Sequence, residues 1–177
     1  PPTPMKKFLI TLAEYNRIYQ VARGVIEGVG TAEKSCIFFA SFGAYILNKH
    51  YKIPARAVAG GYALCVSDEP KVAFFGKDED GRMVSASDGF HMWVLTRTHV
   101  IDFMAPIFPE TFAPAMPGFA MPRRMLQREL STEATSLDGL RKTGDFITLP
   151  DPDLTESLID NFLQREMNTD LLMIAEG

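Results

Sequence analysis

The sequence predicts an α+β domain in which a buried helix packs on an antiparallel sheet. Three observations predict it. Residues 36–47, within a helix read over 32–49, are apolar nearly all the way round, as in a helix covered on most sides. From Ala55 the period changes to short apolar runs punctuated by Gly, Asp and Ser, the pattern of strands and turns. Two hairpins follow, at 71–85 and 91–104, so neighbouring strands run antiparallel.

The chain has 177 residues, a length for one domain spanning 1–177. Apolar residues make up 46%, enough for a sizeable core, and charged residues 23%, which excludes general disorder. The net charge is −4, without the basic footprint of a nucleic-acid binder. No apolar run reaches the length of a membrane span, so no membrane partner is expected. The stretch Met5 to Ile10 is too short for a secretory signal, and Pro1-Pro2-Thr3-Pro4 reads as a loose end. Two cysteines cannot make a disulfide framework, and a reducing, cytoplasmic setting is expected.

Residues 5–29 read as one amphipathic helix, with Phe8, Leu12, Tyr15, Tyr19, Ala22, Ile26 and Val29 on one face. That seam covers the core or, alternatively, joins two copies as a homodimer. Gly24, Gly28 and Gly30 lead out of it. Thr31 or Ser35 caps the second helix, and Lys52-Ile53-Pro54 ends helical structure. The run 56–66 is a strand, bent or bulged at Gly60-Gly61. Residues 71–76 and 82–85 flank a solvated acidic turn, 77–81. The segment 105–122 interleaves five prolines with Ile107, Phe108, Phe112, Met116, Phe119 and Met121, and reads either as an apolar wall or lid over the cleft or as a loop packed on the core. A helix is expected near 123–134, a strand at 146–149, and a last helix capped by Asp153 with Glu156 completing the capping box. Its inward side is Leu154, Leu158, Ile159, Phe162 and Leu163.

Cys36, His91 and Asp102 stand out together. Asp102 lies in an apolar strand, where a buried charge requires a partner. If the 91–104 hairpin closes with a two- or four-residue loop, paired positions sum to 195. Asp102 then faces Trp93, and His91 is its diagonal neighbour on the same side, roughly 7–8 Å away at the backbone. A three-residue loop would separate them to opposite faces. Arg97-Thr98 is a poor two-residue turn, which favours the four-residue loop Thr96–His99. Cys36 falls near the start of a buried helix, where the dipole favours a thiolate. Nucleophile, base and base-orienter would then all be present. Cys65, inside a strand, is read as structural, His50 and His99 as helix-end and turn residues, and Arg56 as half of a buried ion pair or a substrate clamp. No zinc spacing, phosphate loop or dinucleotide fingerprint occurs, so no cofactor or metal is expected.

The stretch Ile53-Pro54-Ala55-Arg56-Ala57-Val58-Ala59-Gly60-Gly61-Tyr62 resembles the strand after the catalytic helix of transglutaminase-like proteins. His91-Met92-Trp93-Val94 resembles their histidine strand, and Val100-Ile101-Asp102-Phe103 their aspartate strand. The resemblance covers about residues 30–104, and order and spacing carry it. Arylamine N-acetyltransferases share this papain-like core. The resemblance implies a papain-like fold in a bacterial branch of the superfamily, with 30–104 as the Cys-His-Asp core and 123–177 as a helical extension. It also implies Cys36 as nucleophile, His91 as base and Asp102 as its orienter.

The expected reaction is acyl transfer through a thioester, first of all hydrolysis of an amide or peptide and second transfer to an amine. The substrate would be a small-molecule or peptide amide. Gln20 and Trp93 are the supporting residues, Gln20 as an oxyanion donor if the first helix passes the site. The segment before Cys36 lacks the Gly-x-Cys context and the Gln of active relatives. The alternative from another class is therefore a non-catalytic member that binds a peptide or a second copy of itself.

Overall fold

A computed structural model of the chain describes residues 7–27, 32–80, 82–86 and 88–164. The architecture is α+β: a curled antiparallel sheet with four helices among the described residues.

Helix α1 spans Leu12–Ile26 and α2 spans Ala32–His50. The long strand β1, Ala55–Ser67, is the centre of the sheet. It is followed by β2 (Lys71–Phe75), β3 (Lys77–Glu79), β4 (Arg82–Val84), β5 (His91–Thr96) and β6 (His99–Asp102). A 3-10 turn, Ala105–Ile107, leads into the short helix α3, Phe108–Phe112. Strand β7 (Leu126–Glu129), strand β8 (Phe146–Pro150) and helix α4 (Pro152–Gln164) complete the chain.

The register of β1 explains the layout. Tyr62, Ala63 and Leu64 pair with β2 and with β8 at once, and Gly60 pairs with both His91 of β5 and Pro150 of β8. A strand has only two edges. Strand β8 therefore takes one of them, and β2 and β5 share the other in series. Beyond β5 the sheet continues through β6 to β7. Strands β3 and β4 pair only with each other.

Residues directly opposite on paired strands share a face. Val58, Gly60 and Tyr62 thus share one with Trp93, His91 and Phe75. Ala57, Val94 and Ile101 lie on the other, which α2 covers, with α1 packed on α2. A Cβ added to Gly43 of α2 would stand 3.3 Å from Val94 Cγ2 and 2.4 Å from the Phe103 ring. Gln127, opposite Ile101, accepts from the amides of Leu9 and Ile10 and donates to the Ile10 carbonyl.

These contacts correct the expected start of the first helix. The backbone of residues 9–10 is held by Gln127, and Thr11 and Glu14 form a capping box, so α1 begins at Leu12. Phe8 precedes it and is exposed, as is Leu12, and the buried side is Tyr15, Ile18, Tyr19 and Ala22. Residues 28–31, with Val29 and Thr31, lie outside the described part, and Ser35 sits within α2.

Other expectations change for local reasons. The expected helix at 123–134 is replaced by strand β7 and a 3-10 turn, Leu130–Thr132. Its residues are good helix formers, but the open edge of β6 pairs with them from His99–Glu129 to Asp102–Leu126. The acidic turn is narrower than read, because Lys77–Glu79 pairs with Arg82–Val84 and Asp80 takes the positive φ of 53°. No bulge occurs at Gly60-Gly61. The irregularity lies between Cys65 and Ser67. Gly60 answers instead to a close approach, since a Cβ there would meet the Leu149 carbonyl oxygen at 2.0 Å. Asp151, not Asp153, caps α4 by accepting from the Leu154 amide, with Pro152 at the first helical position. Leu163 is half exposed rather than inward. Arg56 is exposed, not buried in a pair.

Candidate functional site

The β5–β6 hairpin pairs Val94 with Ile101 and Leu95 with Val100, so positions sum to 195 and the four residues 96–99 close it. Thr96 Oγ1 accepts from the amides of Thr98 and His99, tying the turn. This register turns His91 and Asp102 to the same side of the sheet. His91 Nε2 lies 2.6 Å from Asp102 Oδ2, and both side chains are fully enclosed, at 0% and 1% exposure. The second carboxylate oxygen, Oδ1, accepts from the Met104 amide at 3.0 Å. The backbone on this strand is held too. Tyr15 of α1 donates its hydroxyl to the Asp102 carbonyl and accepts from the Leu126 amide at 3.2 Å, bridging β6 and β7 where their ladder ends.

A carboxylate only accepts, so His91 Nε2 carries the proton of the pair. In the neutral ring Nδ1 is then a bare acceptor. Nδ1 is buried and has no hydrogen-bond partner among the described residues.

Aromatic rings enclose the imidazole. Phe75 stacks on it at 4.1 Å between centroids and 12° between planes, which follows from β2 and β5 meeting end to end along β1. Tyr62 lies at 5.0 Å, Phe108 at 5.5 Å and Trp93 at 6.4 Å. Phe112 caps Phe75 edge-on at 4.8 Å. The segment after Asp102 thus forms an apolar wall over His91. Arg123 pins that wall by pairing with Glu110 and donating to the Pro106 carbonyl. Burial holds the Tyr62 hydroxyl well above its ordinary pKa, and the Asp102 charge adds to the effect.

Cys36 is buried near the start of α2, on the stripe Cys36, Ala40, Gly43, Leu47. Asn48 at the end of α2 bonds both backbone groups of Ala55, and Ala55 pairs with Thr96. The helix end therefore stands at the Thr96 end of β5, with Gly43 against Val94. Helix α2 lies on the face of Val94, and alternation turns the His91 ring to the other. The Cys36 sulfur makes no hydrogen bond to Nδ1. The structure thus joins two of the three expected residues, His91 and Asp102, while the third lies on the helix that packs against the opposite face of the sheet.

Of the supporting residues, Trp93 shares the face of His91, whereas Gln20 lies exposed on α1, outside its buried stripe. Cys65 is buried and unpaired with Cys36. Its thiol donates to the Ser67 carbonyl, and burial pushes its pKa up. His99, read as a turn residue, is fully buried at the start of β6. Its Nε2 lies 2.8 Å from the Lys7 carbonyl and its Nδ1 2.7 Å from Thr98 Oγ1, tethering the chain ahead of α1. Sequence reasoning missed Phe75 and Tyr62. The signal was present in the strand period, because Tyr62 is two residues beyond Gly60 on the side that faces His91.

Among the described residues, no group of His, Cys, Asp and Glu is arranged to hold a metal ion. No described helix is long and apolar enough to cross a membrane.

A solved structure described as "The crystal structure of genomics APC5867" resembles this one with a TM-score of 0.83 and 29% sequence identity. The match covers 98% of this chain and 82% of that chain. No curated protein matches the chain. A family model described as "Protein of unknown function (DUF2026)" matches residues 11–177, nearly the whole length, and the chain therefore belongs to the DUF2026 family.

Proposed function

We propose that the chain is a thiol-dependent acyl-transfer enzyme with a papain-like core, acting on an amide or peptide. Cys36 is the nucleophile, His91 Nδ1 the base and Asp102 the group that orients the ring. One observation carries the reading: Asp102 holds Nε2 at 2.6 Å while Nδ1 is buried and unpartnered. A His–Asp pair kept for packing would gain stability by giving both ring nitrogens a partner, since an unsatisfied buried polar atom costs about 1–3 kcal/mol. A base must instead keep one nitrogen available for a proton. In turnover the Cys36 proton passes to Nδ1 and the sulfur attacks the carbonyl carbon. The amine leaves with that proton, and water cleaves the thioester. Because α2 and the ring lie on opposite faces, this chemistry requires the wall at 105–122 to open and Cys36 to approach the start of β5.

A second reading is a non-catalytic member that binds a peptide or another copy of itself. The complete enclosure of His91 by four rings favours it.

Iodoacetamide alkylation, followed by peptide mass spectrometry across pH, tests the two. Cys65, whose thiol is raised by burial, is the internal control. The enzyme reading expects Cys36 to react faster than Cys65, with a pKa below the ordinary cysteine value of about 8.5 and a rate that falls in His91→Gln. Equal slow rates, unchanged in His91→Gln, would leave the binding reading.

A further inference from the structure

Residues 105–122 cover His91 without belonging to the sheet. Among the described residues, every backbone-to-backbone hydrogen bond of this segment is made within residues 104–119. The Ile107 amide reaches Met104, those of Ala115 and Met116 reach Phe112, and that of Phe119 reaches Met116. Thr111 likewise turns its hydroxyl to the Ile107 carbonyl. The segment is a self-bonded unit, and lifting it from the domain breaks no strand ladder. Units of that kind open locally while the rest of a fold stays closed.

Between its two ends, side chains alone attach it. Phe108 sets its ring beside His91, and Phe112 sets its own against Phe75. Lys71 of β2 stands 4.5 Å over the Phe119 ring. The packing beneath is incomplete, because a hollow of about 40 Å³ is lined by Ala105, Phe108 and Met121 of the segment and by Leu64 and Val66 of β1. Arg123 ties the two ends together, donating to the Pro106 carbonyl and to both carboxylate oxygens of Glu110. This ion pair is open to solvent on both sides, whereas the imidazole under the segment is 0% exposed. The fastening is therefore within reach from outside, and the group it shuts away is not.

We infer that residues 105–123 form an autoinhibitory flap, held shut by the Arg123–Glu110 clasp, which lifts as a unit to admit a substrate to His91. The substrate is that of the acyl-transfer reading and rests on it; the flap and its clasp stand without it. The resting chain is then closed, and release of the clasp activates it. A guanidinium fork can span a carboxylate and a carbonyl at once, which an ammonium does not reproduce.

Diethyl pyrocarbonate, which modifies unprotonated imidazole nitrogens, reads the flap in the full chain when followed by peptide mass spectrometry. The chain has three histidines. His50 is exposed and reports the reagent. His99 is as buried as His91 but is enclosed elsewhere, bonded to Lys7 and Thr98, and reports unfolding of the whole domain. In the wild type His91 should react far more slowly than His50. Arg123→Met and Glu110→Gln should each raise the His91 rate about threefold and leave His99 unchanged. Arg123→Lys should fall between them and the wild type. Glu110→Gln alters an exposed side chain, so it tests the clasp even where Arg123→Met does not fold. A wild-type His91 as reactive as His50, clasp variants with an unchanged His91 rate, or clasp variants that raise His91 and His99 alike would overturn the flap. The acyl-transfer reading is judged separately. Iodoacetamide should alkylate Cys36 faster in Glu110→Gln, and the gain should vanish when His91→Gln is added. A faster His91 with an unchanged Cys36 counts against that reading and leaves the flap in place.

Discussion

Phe75 and His91 lie ring on ring, 4.1 Å apart, because the strands that carry them occupy the same edge of β1, one after the other. The Phe75 ring closes one side of the imidazole, while Phe112 packs on its own edge. Phe75→Ala should destabilise the fold by roughly 2–3 kcal/mol, less than a fully buried Phe because this one is partly exposed. Urea denaturation measures the loss. The same variant should open His91 to solvent, seen as faster exchange of its ring proton.

Asp102→Asn keeps the shape of the side chain and removes its charge. It should destabilise the fold by roughly 1–3 kcal/mol, because the buried bonds to His91 Nε2 and the Met104 amide weaken. The ring is then free to move its proton to Nδ1. If His91 is the base, alkylation of Cys36 slows at neutral pH by tenfold or more, while alkylation of Cys65 is unchanged. An unaltered Cys36 rate would show that the pair serves the fold alone.

Two glycines should differ in their tolerance of a methyl group. At Gly43 an added Cβ meets the Phe103 ring, which can shift by tilting, and the expected loss is about 1–3 kcal/mol. At Gly60 it meets the backbone oxygen of Leu149, which cannot move without parting β8 from β1. Thermal melting of Gly43→Ala and Gly60→Ala should therefore rank Gly60→Ala as clearly the worse. The reverse order would contradict the register of β8.

Tyr15 connects three elements through one hydroxyl. Tyr15→Phe leaves the Asp102 carbonyl and the Leu126 amide without that bridge, at a cost of roughly 1–3 kcal/mol. Hydrogen exchange should show the Leu126 amide becoming less protected, whereas amides within β1 hold their protection.

Acid should loosen the 141–145 loop. Amides of Lys142 and Arg141 donate to Asp145 and lower its pKa, and Thr143 does the same for Asp68. Both carboxyls have folded pKa values below their unfolded ones. Their contribution is present above the unfolded value of about 3.9 and is lost as pH falls through the folded value. Stability measured from pH 5 downward should decline less steeply in Asp145→Asn than in the wild type. An identical slope would show that this carboxylate is not linked to folding.

Much of the site's second half was legible in the sequence. The pairing of His91 with Asp102 follows from counting residues across the turn, because a strand repeats every two residues and a four-residue loop preserves the face. Helix α2 and strands β1 and β5 were legible for the same reason, since each buries enough of its surface for the apolar pattern to reveal its period, whereas β8 was legible as a short apolar run of which only Phe146 is buried. Strand β7 was not, because Leu126–Glu129 is strand only by virtue of the open edge of β6 beside it. The start of α1 was hidden likewise, since the residues ahead of it are held by Gln127, more than a hundred positions away.

By itself, then, the sequence determined the α+β class, the buried helix bearing Cys36, the central strand, and the register that unites a histidine with an aspartate. Local periods and turn lengths suffice for these, since they arise between neighbours in the chain. Only the tertiary structure decided which face of the sheet receives α2, how two strands divide one edge of β1, and why aromatic rings from Tyr62, Phe75, Trp93 and Phe108 close around His91. Those outcomes depend on which distant surfaces bury each other best, and burial is non-directional, so no local pattern encodes the choice.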